Sequence, residues 1–67
     1  MKIEINQDQP LDDVVRELER LGFKMEADCK NVNHIETYSD GTYDKYIFST
    51  EHIDTTLAEL KEMKWKT

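Results

Sequence analysis

The chain has 67 residues, 15 of them Asp or Glu against 9 Lys or Arg, for a formal net charge of −6 at pH 7. So small an anionic body repels polyanions and attracts cationic surfaces, which sets aside phosphate-backbone binding as the default role. The length allows one domain, 1–67, near the lower end of what folds unaided. A single cysteine, Cys29, excludes an internal disulfide and points to a reducing compartment: the cytoplasm, or the host cytoplasm if the protein is viral. No run approaches the roughly 18 apolar residues of a membrane span. Residues 1–10 carry no apolar stretch of the signal-peptide kind.

Ile3 and Ile5 alternate with Lys2 and Glu4, the pattern of a short strand with one buried face. Pro10 suits the first position of a helix, with Asp8 or Gln9 as its cap. Leu11, Val14, Val15, Leu18 and Leu21 then form one helical stripe, and Asp12, Asp13, Arg16, Glu17, Glu19 and Arg20 fill the opposite side. Asp12 and Arg16 have i,i+4 spacing for an ion pair. Gly22 supplies the left-handed residue that ends such a helix.

Phe23, Met25, Ala27 and Cys29 alternate with Lys24, Glu26, Asp28 and Lys30, which predicts a half-buried strand with the first set inward. Cys29 reads there as a small core residue. A turn at 31–33 leads to two β-rich runs, 34–38 and 43–49. Asp40-Gly41 between them is a strong hairpin signal, since a two-residue type I′ loop needs positive φ twice. That loop pairs Tyr38 with Tyr43, Glu36 with Lys45, and Ile35 with Tyr46, leaving Ile35, Tyr46 and Phe48 on the core side. Cap candidates at 49–52 or Asp54 then precede a second amphipathic helix with Ile53, Leu57, Leu60 and Met63. Trp65 closes it against the sheet, and Glu62 is spaced to pair with Lys66. The expected order is β-α-β-β-β-α: an α+β domain with two helices on one face of a small, mainly antiparallel sheet.

Little in the chain dictates chemistry. His34 has the best catalytic claim, as an imidazole at a strand start near a turn, where it would titrate near neutrality. Glu36, His52, Lys30 and Lys45 are its nearest possible helpers. His34-x-Glu36 is too short a ligand set for a metal, and neither Cys29 nor His52 has the spacing to complete it. There is no Gly-rich phosphate loop and no nucleophile elbow, so no cofactor is expected.

The segment from Leu11 to Trp65 has the element order of double-stranded-RNA-binding domains. It also resembles the HicA family of small RNA-cleaving toxins of toxin–antitoxin pairs. The likeness rests on Leu18, Leu21-Gly22-Phe23 at the end of the first helix, His34 opening a strand, Asp40-Gly41 at the hairpin, and Thr56-Leu57 with Leu60 in the last helix. It implies a dsRBD-like fold and, through His34 alone, an RNA-cleaving activity. The family's Gly-Ser pair before that His is Val32-Asn33 here, and the family is basic where this chain is acidic.

Surfaces give the preferred expectation. Tyr38 and Tyr43, with Glu36 and Lys45, are expected on the sheet face away from the helices, an aromatic patch rimmed by acids that suits a basic protein partner. Asp12, Asp13, Glu17 and Glu19 on the first helix have the charge to imitate a phosphate backbone. The composition thus points to a small acidic, non-catalytic binding protein, an inhibitor or regulator of a larger protein with a basic surface. Compact acidic domains of phage and mobile-element inhibitors are the analogy. A homodimer through an exposed edge strand is the other association the pattern allows.

Overall fold

The computed structural model describes residues 1–26, 28, 31–48 and 52–64. In chain order its elements are β1 (Lys2–Glu4), α1 (Leu11–Arg20), β2 (Lys24–Met25), β3 (His34–Thr37), β4 (Thr42–Tyr46) and α2 (Leu57–Glu62). The sheet order is β1-β3-β4-β2. β3 is antiparallel to both β1 and β4, and β2 is parallel to β4. β1 and β2 therefore point the same way, joined through α1, with the β3–β4 hairpin inserted between them: a split β-α-β crossover. The expected α+β architecture is present. The turn at 31–33, however, does not fold β2 back onto β3, because the crossover has carried β2 to the far edge.

Ile3, Val14, Leu18, Ile35, Tyr43, Leu57 and Leu60 form the core, so both helices lie on one face of the sheet. Ile3 and Ile35 are direct cross-strand partners at its centre. Burying side chains of this size contributes about 1.5–3 kcal/mol each. The helical stripe of α1 works as its spacing predicts, with Val14 and Leu18 fully covered.

The ends of α1 follow local chemistry, with two departures. Pro10 is the N-cap rather than the first helical residue; its carbonyl accepts from Asp13 and Val14 N–H, both at 3.1 Å. Neither Asp8 nor Gln9 caps this helix. At the other end Phe23 N–H donates to the Leu18 carbonyl and Gly22 N–H to the Glu19 carbonyl, both at 3.0 Å, with Gly22 at φ 93°. That is a Schellman closure, and it turns the chain into β2. Arg16 pairs with Asp13 at 3.9 Å, not with Asp12.

α2 starts later than its apolar spacing suggests. Asp54 and Thr55 N–H both donate to the Lys2 carbonyl at 3.1 Å, and Lys2 N–H donates to Asp54 Oδ1 at 2.8 Å. Thr55 thereby bridges to Ile3 along the outer edge of β1. Backbone committed to that edge cannot turn helical, so the helix begins after Thr56, whose hydroxyl accepts from Glu59 N–H at 3.2 Å.

The hairpin register differs by one residue from the expectation. Tyr38 N–H donates to the Thr42 carbonyl at 2.9 Å, and the pairs are Thr37–Tyr43, Glu36–Asp44, Ile35–Lys45 and His34–Tyr46. The loop is therefore Ser39-Asp40-Gly41. Gly41 has φ 89°, and among the described residues no non-glycine has positive φ. A type I′ turn would force Asp40 into that region; the three-residue loop spares it and leaves the strain to glycine alone. A one-residue slip inverts a whole strand. Tyr43 thus lies in the core instead of on the open face, Tyr46 moves outward, and Lys45 points inward, where its amine meets Asp28 at 3.9 Å. Phe48 is 72% exposed and Met25 43% exposed, so neither is the core residue its alternation implies. The expectations for Ala27, Cys29 and Lys30, for caps at 49–51, for Trp65 and for a Glu62–Lys66 pair lie outside the described residues.

Candidate functional site

Among the described residues no helix covers the sheet face opposite the core. Alternation places Lys2 and Glu4 of β1, His34 and Glu36 of β3, Tyr38 just beyond it, and Asp44 and Tyr46 of β4 on this face, in rows set by the register. Glu4, His34 and Tyr46 form one row, and Lys2, Glu36 and Asp44 the next. Glu36 and Asp44 stand directly opposite each other, which like charges disfavour. Both find relief nearby. Lys2 Nζ lies 3.6 Å from Glu36, and the Tyr38 hydroxyl donates to Asp44 Oδ2 at 3.0 Å.

Tyr38 and Tyr46 are also joined hydroxyl to hydroxyl, and Tyr46 reaches Asp44 Oδ2 at 3.5 Å. Two phenols and one carboxylate thus form a closed triangle. The bond to Tyr46, then burial, then the bond to Asp44 hold the Tyr38 phenol well above its ordinary range, so it remains a neutral donor.

His34 occupies the same face but is only 7% exposed, against the expectation of an exposed imidazole. Its ring stacks on Tyr46 with centroids 4.9 Å apart and planes at 10°. Its Nδ1 lies 2.7 Å from the Phe48 carbonyl oxygen, which can only accept, so Nδ1 carries the hydrogen and Nε2 is the acceptor nitrogen of the neutral ring. The Tyr46 ring and the Phe48 carbonyl cover it: the strand start abuts the end of β4 rather than an open turn. His52 is exposed, and among the described residues no three His, Cys, Asp or Glu side chains are grouped to hold a metal ion.

The site residues expected from the sequence fall in three places. Tyr38 and Glu36 lie together on the open face, half-buried. Tyr43 is fully buried beneath the sheet and takes no part; burial, followed by the Glu19 carboxylate, raises its phenol's pKa. Asp12, Asp13, Glu17 and Glu19 ride on α1, which covers the opposite side of the sheet. Asp12 and Glu19 are exposed, Asp13 is shared with Arg16, and Glu17 is held by Arg20 Nε at 2.8 Å. The helix acids and the tyrosine patch therefore do not make one surface. Asp44, Tyr46, Lys2 and Glu4 share the open face with Thr42 and Lys24, and the sequence alone does not single them out as site residues. A three-residue reading of Ser39-Asp40-Gly41 would have found Asp44 and Tyr46.

Compared with known proteins, the chain matches no family, no curated protein and no solved structure. No helix among the described residues is long and apolar enough to cross a membrane.

Proposed function

We infer that this chain is a small acidic binding protein without catalysis of its own, which engages a basic surface of a larger protein as an inhibitor or regulator. The observation that carries the reading is the open sheet face, where the Tyr38–Tyr46–Asp44 triangle is set among Glu36 and Glu4. Glu4, Glu36 and Asp44 outnumber Lys2 and the edge-strand Lys24, which gives that face the sign of the whole chain, −6. Tyrosines prepositioned by a carboxylate offer large, rigid contact area with little entropy left to lose. Arginine suits such a face, since its guanidinium stacks on phenols and forks onto carboxylates. The acids of α1 add steering charge from behind, which favours encounter with a cationic partner and fits a surface that otherwise holds nucleic acid.

The test is salt-dependent capture of a basic partner. Binding that weakens steeply between low and high salt and is lost with Tyr38→Ala or Asp44→Asn supports the reading. An acidic partner, or affinity indifferent to salt, defeats it. The second reading, an RNA-cleaving toxin resembling HicA or a degenerate relative, draws on one observation: the Phe48 carbonyl fixes the His34 tautomer with Nε2 as base. Growth arrest on expression that disappears with His34→Ala would favour it over the first.

A further inference from the structure

A second feature lies away from the open face. Where β1 begins and both helices end, Met1, Leu21, Phe23, Met63 and Lys64 line a groove of about 350 Å³. Four of these five side chains are apolar, and the fifth is an exposed lysine that has no ion-pair partner among the described residues. The Schellman turn at Gly22 places Leu21 and Phe23 on one wall. The other wall is held in position by Arg20, whose Nη2 donates to the Leu60 carbonyl at 2.9 Å and the Met63 carbonyl at 3.0 Å. The groove is thus a built concavity between elements tied to each other, at the lower end of the size range of small-ligand sites. Thioether side chains on two sides make its lining adaptable to shape.

We propose that this groove binds a small amphipathic carboxylate, an unbranched or aromatic apolar body lying against Met1, Leu21, Phe23 and Met63 with its acid head at Lys64. The charge selects the class. On a chain with 15 acidic side chains, an ammonium at the mouth of the apolar groove with no ion-pair partner among the described residues is a local exception to the prevailing sign. Apolar burial supplies the affinity, and the lysine discriminates between an anionic and a cationic head group. The site is independent of the open sheet face, so either stands if the other fails.

Octanoate is a suitable probe, titrated into the full chain and followed by two-dimensional amide NMR, with octanol and octylammonium as neutral and cationic controls. Shifts confined to Leu21, Phe23, Met63 and Lys64, with octanoate bound more tightly than either control, are expected. Lys64→Gln should weaken octanoate by about threefold, the scale of an exposed ion pair, and leave octanol unchanged. No shifts at millimolar octanoate, or octylammonium binding equally well, overturn the proposal. Binding that arises only in Trp65→Ala overturns it too, because the chain's own C-terminal side would then be the occupant.

Discussion

Gln9 Oε1 accepts the Leu57 backbone N–H at 2.8 Å, so the residue just before the N-cap of α1 caps the start of the other helix. Its amide nitrogen at the same time donates to the Glu4 carbonyl at 2.6 Å. With Arg20, the last residue of α1, on the Leu60 and Met63 carbonyls, both ends of that six-residue helix are closed by residues at the ends of α1. Isolated helices so short are unstable in water, and α2 stands because its termini and its Leu57 and Leu60 side chains are satisfied by the rest of the fold.

Gln9→Ala should therefore cost about 1 kcal/mol, the usual worth of a cap. In a domain of this length that lowers the melting temperature by about 4–8 °C per kcal/mol. Gln7→Ala, at a neighbouring exposed position, should leave the thermal transition unchanged.

Gly41 sits at φ 89° with nothing within 4 Å of where a Cβ would stand. The cost of Gly41→Ala is then backbone strain alone, about 1–2 kcal/mol. Gly41→Asn should cost less, since asparagine tolerates the left-handed region. Chemical denaturation of the two variants checks the order; equal stabilities would mean that the loop is not the three-residue form.

Tyr43 and Tyr38 should behave oppositely. Tyr43→Ala empties the centre of the core and should cost about 3–5 kcal/mol, enough to unfold a domain this small. Tyr38→Ala should leave a cooperative melt while removing the binding described above. Circular dichroism and a binding measurement on the same two proteins separate these outcomes.

Stability should hold between two pH limits. The Lys2 backbone N–H, then the Thr55 hydroxyl, hold the Asp54 carboxyl below its ordinary range, and the Thr42 hydroxyl does the same for Asp40. A lowered folded-state value means that the unfolded chain binds protons first, so this contribution is present above about 3.9 and is lost as pH falls through the folded values. The Tyr38 and Tyr43 phenols are raised, so the unfolded chain releases protons first above about 10, and stability falls there as pH rises. Melting temperatures across the pH range test both edges. Asp54→Asn should flatten the acid edge, and ultraviolet titration should show Tyr38 still protonated beyond the ordinary phenol range.

Periodicity was enough to read the element order, because Leu11 to Leu21 and the Ile3–Ile5 alternation are local patterns enforced by one buried face. It also placed Glu36 and Tyr38 on the open side of β3. What it missed is non-local. The length of the Asp40-Gly41 loop depends on which residue takes positive φ, and one residue of error moved Tyr43 outward and Tyr46 inward. The parallel seat of β2 beside β4 depends on where α1 deposits the chain. The edge pairing of Thr55 with Ile3 spans more than fifty residues, and no pattern within 53–57 announces it.

The most direct test of the open face as a binding surface is amide NMR mapping of an arginine-rich peptide titrated at two salt concentrations. Shifts centred on Glu36, Tyr38, Asp44 and Tyr46, weakening at the higher salt and abolished by Tyr38→Ala with Asp44→Asn, are the expected result. Shifts confined to α1, or a tighter complex with RNA than with the peptide, would contradict it.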